Sequence, residues 1–497
     1  MKKLLILVFP AAALAADPAL TIYNQNFGVV RETIPLELKE GVNDVKFADV
    51  TVHLEPESVI LRDPSGKAEI QILEQNFRND PVNQRMMLSL FEGKEISFRV
   101  SEPEKPDRVV KGRVIRSGYA PHNATAMRRY GRAYYQSQMA TAAETAEPII
   151  EVDGELQFNL PGMPVFPALT DETILKPELS WKLQSSKPGK LDAELCYVSS
   201  GMSWEANYNL VAPEDGGKLD LIGWVTMDNQ SGKSFTNARV KLMAGDVSKI
   251  EEDQTAQYRA AAMSAIADAA GPPVTEKAFD EYHLYTLQRP LTLRDRETKQ
   301  VEFVRTSAVG SERVYVYDGA SIDWDRWRGY DPSSLRQNDA LGTQSNNKVR
   351  VMREFKNSKE NGLGIPLPKG RLRFYQRDED GQLEFIGEND IDHTPKDETV
   401  RVYVGNAFDI VGERKRTSFK VDNSNNWADE SFEITLRNRK TEPVEIRVVE
   451  HLFRWVNWEI REHSDAFTKV DAQKIEFRVK LQPDEEKKLT YLVHYSW

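Results

Sequence analysis

The sequence predicts a mainly β protein: several immunoglobulin-like β-sandwich domains in tandem, with one inserted helix and irregular loops. Three stretches carry this expectation. In Leu219 to Asp246, residues Leu221, Gly223, Val225 and Met227 alternate with Ile222, Trp224 and Thr226. The polar run Asp228 to Lys233 follows, and then Phe235, Val240, Leu242 and Ala244 resume the apolar pattern. A period of two on both sides of an Asn/Ser/Gly cluster reads as two antiparallel strands joined by a short loop. Val349 to Leu367 repeats the pattern and runs into Asn357, and Phe432 to Leu452 repeats it again and runs into Asn438. Asparagine suits such turns because its side chain bonds nearby backbone and it tolerates a left-handed φ.

A chain of 497 residues exceeds what one hydrophobic core supports. About three domains of roughly 100–200 residues are expected. The formal net charge is −11. Nucleic-acid phosphates need a basic face, so no nucleic-acid partner is expected. At the N-terminus, Lys2 and Lys3 precede the apolar run Leu4 to Phe9, and Ala13-Leu14-Ala15 is an A-x-A cleavage pattern. Residues 1–15 therefore read as a secretory signal peptide, too short to span a bilayer. No later apolar run approaches the length of a membrane span, so an exported protein of the periplasm or cell surface is expected. Cys196 is the only cysteine, which excludes an internal disulfide. It sits in the alternating run Leu191 to Val198 and reads as a small buried strand residue, with no base nearby to activate it.

The elements follow in order. Short strands from Leu20 to Ile115, punctuated by turns such as Gly41-Val42-Asn43, give an N-terminal β domain over residues 16–118, with a short helix within Pro81 to Leu90. From 119 to 148 the strand period fails. This insertion is rich in Ala, Thr and Gln and carries Arg128, Arg129 and Tyr134. It reads either as a solvated loop or as an Arg/Tyr arm for an anionic surface or glycan. Strands return over 149–250 as a β-sandwich domain, where Trp181, Trp204 and Trp224 are expected to face inward. Residues 251–275 form a helical insertion, since Tyr258, Ala262, Met263 and Ile266 recur at helical spacing and Gly271-Pro272-Pro273 ends the run. A further β domain spans 276–412, with a loop insertion at 319–347 whose aromatics Trp324, Trp327 and Tyr330 follow no strand period. Residues 413–497 form a C-terminal immunoglobulin-like sandwich.

No strong enzyme motif is present: no G-x-S-x-G, H-E-x-x-H, phosphate-binding loop or C-x-x-C pair. Asp390, Asp392, His393 and Asp397 form the best metal-like cluster, yet they lie in a charged connection that reads as solvated. Asp280, Glu281 and His283 could supply an acid–base set, but alternation sends them to both faces of a strand. Asp378 and Asp380 belong to a hairpin turn. No catalytic, metal or cofactor residues are therefore expected, and no cofactor.

The phrases YNQNFGVVRE, GMSWEANYNLVAP, GWVTMDNQSGKSFTNARVKLMAGD, FDEYHLYTL and GNAFDIVGERK resemble an exported bacterial family catalogued as domain of unknown function 4139. The resemblance runs from about Leu20 to Trp497, and in its later part extends to the mucoidy-inhibitor group. It implies a β-rich fold with an immunoglobulin-like C-terminal part, and it assigns no reaction. The long coiled coil of the mucoidy-inhibitor pattern is missing here. The expected function is binding or scaffolding in the cell envelope, with an envelope protein or polysaccharide as partner. Trp324, Trp327, Tyr330, Arg128, Arg129 and Tyr134 are the candidate contact residues. The alternative is a hydrolase or metal-dependent enzyme of envelope polymers that uses His283, Asp392 and His393.

Overall fold

In a computed structural model the chain is mainly β, as expected. The structure describes residues 17–497 apart from 67, 80–81, 102–105, 120–135, 137–146, 168–173, 214–217, 246, 248, 250–273 and 280–281. The signal peptide, most of the 119–148 insertion and almost all of the 251–275 helical insertion lie outside the described residues. The helices described are Gln84–Leu90 and Pro332–Gln337. The first falls where the sequence placed one, and Asn83 caps it by accepting from the Met86 amide. The chain divides into two compact units, one of residues up to Trp204 with Thr226–Gln300, the other of Glu205–Val225 with Val301–Trp497.

In the first unit, strand Ala19–Tyr23 lies parallel to Phe235–Ala244, with Leu20 opposite Val240 and Ile22 opposite Leu242. Its other neighbour is Phe27–Leu38, which pairs along its whole length with Gly189–Ser200. Val30, Ile34, Ala193, Leu195 and Tyr197 are all buried on these strands, as period-two patterning requires. A second sheet places Glu178–Ser185 between Gly41–Ala48 and Ile70–Arg78. A third, of five strands, buries Ile96, Phe98, Val114 and Ile150 against Leu88 of the helix.

Two expectations about assembly are corrected. Segments 16–118 and 149–250 do not form separate domains, because their strands share sheets. Strands Leu219–Asn229 and Phe235–Ala244 do not form a hairpin. The first pairs within the sheet of Met202–Ala212 and Glu297–Val309, and the second pairs with Ala19–Tyr23 and Tyr282–Leu287. Alternation reveals a strand and its faces, but hydrogen-bond partners come from backbone groups that every residue carries. Trp181 and Trp204 face inward at 2% and 4% exposure, whereas Trp224 is half-buried on the opposite parity from Leu221 and Val225.

In the second unit, Met202–Ala212 runs parallel to Gly370–Arg377, which forms the expected hairpin with Leu383–Ile391. A nine-stranded sheet follows, ordered Trp458–His463, Glu486–Ser496, Trp427–Asn438, Thr399–Asp422, Lys348–Lys356, Ser311–Asp318, Val444–His451, Lys474–Leu481, Phe467–Asp471. Thr399–Asp422 runs straight through the expected boundary between 412 and 413, so that boundary is also corrected. The two edge strands are consecutive, separated only by residues 464–466. Four chain steps reach at most about 14 Å. The sheet therefore rolls back on itself and encloses a core of Tyr317, Val349, Phe432, Ile434, Leu436, Ile446, Val448, Phe477, Val479 and Val493.

The three Asn-terminated stretches share one construction. Asn229, Asn357 and Asn438 are each completely buried, and none has a left-handed φ. Each side chain ties its strand end to a distant turn. Asn229 Nδ2 donates to the carbonyls of Lys233 and Arg294, and Asn438 Nδ2 to those of Glu442 and Gln482. Asn357 Nδ2 donates to Ile365 and Pro395. Their Oδ1 atoms accept from the Ser231, Lys440 and Gly364 amides. The positive φ expected at the asparagine falls instead on the facing turns, at Arg296, Asp397 and Asp484. The asparagines act as buried locks between strand ends.

Candidate functional site

The rolled sheet has one apolar end and one ionic end. Along Trp427–Asn438 the inward positions are Ala428, Glu430, Phe432, Ile434 and Leu436. Along Thr399–Asp422 they include Ile410 and Arg414, and along Val444–His451 they include Ile446, Val448 and Glu450. The same alternation that places Ile434 in the core thus places Glu430 there, at 0% exposure. Each charge is matched. Arg414 Nε lies 3.0 Å from both Glu450 oxygens. Tyr491 donates to Glu450 at 2.5 Å. Arg454 Nη2 lies 2.7 Å from Glu430 Oε1, and Arg416 Nη1 lies 3.3 Å from the same oxygen. Burial opposes the charge of Arg414, but Glu450 and Tyr491 outweigh it and hold the guanidinium firmly protonated. Burial, reinforced by Glu450, drives the Tyr491 pKa well up, and burial with Glu430 does the same to Tyr495. Both phenols therefore stay protonated, and Tyr491 serves as a donor to Glu450.

Other guanidinium donors of the layer grip one loop. Arg454 Nη1 donates to the carbonyls of Leu335, Arg336 and Asn338 at 2.9–3.0 Å, and its Nη2 donates to Leu341 at 3.1 Å. Arg414 Nη1 donates to Gly342 at 2.9 Å, and Arg416 reaches Asp339 and Leu341. All these carbonyls belong to the 319–347 insertion. Gly342 sits at φ 78° with the Phe453 ring against it, where a side chain would collide. Arg336 stacks back over Trp455 at 4.1 Å and Trp497 at 5.2 Å.

The insertion is built rather than irregular. Its stem closes through Ser321 N to Gln344 O and Asn346 N to Gly319 O, both 3.0 Å, and Tyr317 donates to Asn346 O at 2.8 Å. Its head carries helix Pro332–Gln337, whose first turn is capped by Asp331. The Ser334 hydroxyl, then the Ser334 amide, pushes the Asp331 pKa down to about 2. The helix has proline at its first turn, which suits the position. Before it, Trp324, Trp327 and Tyr330 lie on successive turns, with Trp327 N donating to Trp324 O and Tyr330 N to Trp327 O. Trp327 is buried at 6%, edge-on to Tyr330 at 5.3 Å. It props the head rather than facing outward, which corrects its place in the candidate contact surface. Trp324 and Tyr330 are exposed at 55% and 51%.

The other expected residues do not assemble. Arg128, Arg129 and Tyr134 lie outside the described residues, as do Asp280 and Glu281. His283 belongs to one unit and Asp392 and His393 to the other. His393 Nδ1 accepts from the Lys369 amide at 3.1 Å, and Asp397 serves its turn. Among the described residues no group of three or more His, Cys, Asp or Glu is placed to hold a metal ion. Cys196 is half-buried, and burial raises its thiol pKa, away from the nucleophilic form. Sequence reasoning missed the pair His494–Asp429, in register across two strands with Nδ1 2.5 Å from Oδ1. It also missed the arginine–glutamate layer. The visible signals for that layer are charges on apolar parities: Glu430 with Phe432 and Ile434, and Glu450 with Ile446 and Val448.

Among the described residues, no helix is long and apolar enough to cross a membrane. Searches among curated proteins and among solved structures find no match. The sequence does match a family described as "Domain of unknown function (DUF4139)" over residues 193–497, which spans the nine-stranded sheet, its ionic end and the clamped loop. With more than half of its residues inside that match, the chain belongs to the DUF4139 family.

Proposed function

We propose that this chain is an exported cell-envelope protein that works by binding, and that the head of the 319–347 loop is its contact surface. The observation that carries the reading is the clamp. Three arginines at the ionic end hold the backbone of a surface loop whose tip exposes Trp324 and Tyr330. Fixing a loop in advance lowers the ordering cost of binding, and aromatic anchors supply flat apolar faces with polar edges. Such a tip suits a sugar ring or an apolar patch on an envelope protein. The leader-like residues Lys2 to Ala15 support export.

The test combines location and binding. The native chain is followed by fractionation, and the purified protein is run against envelope polysaccharide and envelope extract. The expected result is retention by one of these, weakened roughly tenfold in a Trp324→Ala/Tyr330→Ala variant, the scale of losing an aromatic anchor. Unchanged binding in that variant, or a wild-type protein found only in the cytoplasm, defeats the proposal.

A further inference from the structure

A different buried arginine points to a second site. Arg353 lies on strand Lys348–Lys356, on the face that buries Val349 and Phe355, and is 3% exposed. Among the described residues the other buried cations are Lys233, Arg414, Arg447 and Arg454, and each has a carboxylate. Lys233 has Glu32, Arg414 has Glu450, Arg447 has Glu354, and Arg454 has Glu430. Arg353 has none: its polar contact is a long 3.5 Å approach to Ser311 Oγ. Its cross-strand partner in register is another cation, Arg313. Like charges directly opposed on a sheet repel, and a buried guanidinium without a counter-charge is costly. On the adjoining side, Lys440 lies 6.0 Å from the Tyr315 ring and pairs with Glu442. Among the described residues no carboxylate pairs with Arg353, and the nearby Glu442 acts on Arg313 and Lys440 instead.

We propose that Arg353 and Arg313 form a binding site for a small oxyanion, with the Ser311 hydroxyl as a third donor. A phosphate, sulfate or carboxylate group between the two guanidiniums would turn repulsion into two charge-assisted contacts, and the planar fork of arginine suits such groups. Burial and then the Arg313 charge push the Arg353 pKa down to about 10, which an anion would reverse. Arginine still carries its full charge near neutral pH, so the need for a counter-ion is permanent.

Thermal unfolding of the full chain tests this. The probes are inorganic sulfate, inorganic phosphate and acetate, each balanced by sodium chloride at equal ionic strength, with dextran sulfate as a polymer-borne arm. Sulfate and phosphate also stabilise proteins non-specifically, but that effect grows without saturating. The expected result is a saturable rise in Tm of about 2–4 °C with at least one oxyanion. That saturable part disappears in Arg353→Met, whose Tm in anion-free buffer rises above wild type. Saturation with free ions alone identifies the small ion as ligand, and saturation with dextran sulfate as well identifies a group borne on a polymer. Should Arg353→Met fold poorly, Arg313→Gln, at an exposed position, reads the same loss. The proposal is overturned if wild type shows no saturable rise with any probe, or if both variants retain it.

Discussion

The two ends of the rolled sheet use one strand pattern for opposite purposes. At one end Ile434, Leu436, Ile446, Val479, Leu481 and Leu489 meet as an apolar layer. At the other end, on the same strands, Glu430, Glu450 and Tyr491 meet as an ionic layer with Arg454, and Arg414 reaches into it from the position opposite Ile434. The apolar layer needs only volume and tolerates exchange among residues of similar size. The ionic layer needs every partner present, because removing one leaves a charge in a dry interior. A core built for stability alone gains nothing from such a layer. Its donors instead reach outward to six loop carbonyls between Leu335 and Gly342, which binds the loop to the sheet.

Breaking the ionic end has the largest expected effect. Glu450→Leu strands Arg414 and is expected to destabilise the second unit by about 3–5 kcal/mol. The double variant Arg414→Met/Glu450→Leu recovers most of that loss, a non-additivity that chemical denaturation measures. Leu489→Ala at the apolar end costs about 2–5 kcal/mol by leaving a cavity. Limited proteolysis separates the ends: Arg454→Met exposes residues 323–342 to cleavage, and Leu489→Ala at matched stability does not. Equal cleavage of both variants would remove the distinction between the ends.

A smaller effect is expected at the asparagine lock beside the apolar end. Asn438→Ala leaves the carbonyls of Glu442 and Gln482 unpaired and is expected to cost about 1–3 kcal/mol. A Leu substitution there fares no better, since the carbonyls rather than the cavity set the cost.

The smallest effect is a pH dependence near the ionic end. His451 Nε2 lies 3.4 Å from Asp318 at the root of the loop stem. Hydrogen bonding to Asp318 raises the imidazole pKa, against the opposing effect of burial. Its contribution is therefore full below the unfolded pKa of about 6.5 and is lost as pH rises through the folded value. Stability followed upward from pH 6 should show a small decline in wild type that His451→Gln lacks. The site is half open to solvent, so the decline is small.

The strands were legible because alternation is local. The runs Leu219–Asn229 and Trp427–Asn438 can be read residue by residue, and so can the hairpin at 370–391. Their partners were not legible, since nothing in Phe235–Ala244 announces that Ala19–Tyr23 will lie beside it. Trp324 and Tyr330 stood out as aromatics without a period, and the structure exposes both. Trp327 stood out equally and is buried, because its burial depends on Tyr330 folding against it. Glu430 broke the apolar pattern visibly, but its partner Arg454 lies 24 residues away beyond two turns. The asparagines look like turn formers in the sequence, and they are locks whose other half lies in a remote segment.

Those remote halves also govern the order of events in folding. Asn229 bonds a carbonyl 64 residues along the chain, Asn438 one 44 residues along, and Asn357 one 37 residues along. Bonds across such separations are expected to close after the intervening strands have formed, and an Asn438→Ala variant that folds at the wild-type rate but unfolds faster would place them late on the pathway. An asparagine that engages after the transition state scarcely changes the speed of folding. It acts as a brake on unfolding, and its loss shortens the lifetime of the native state.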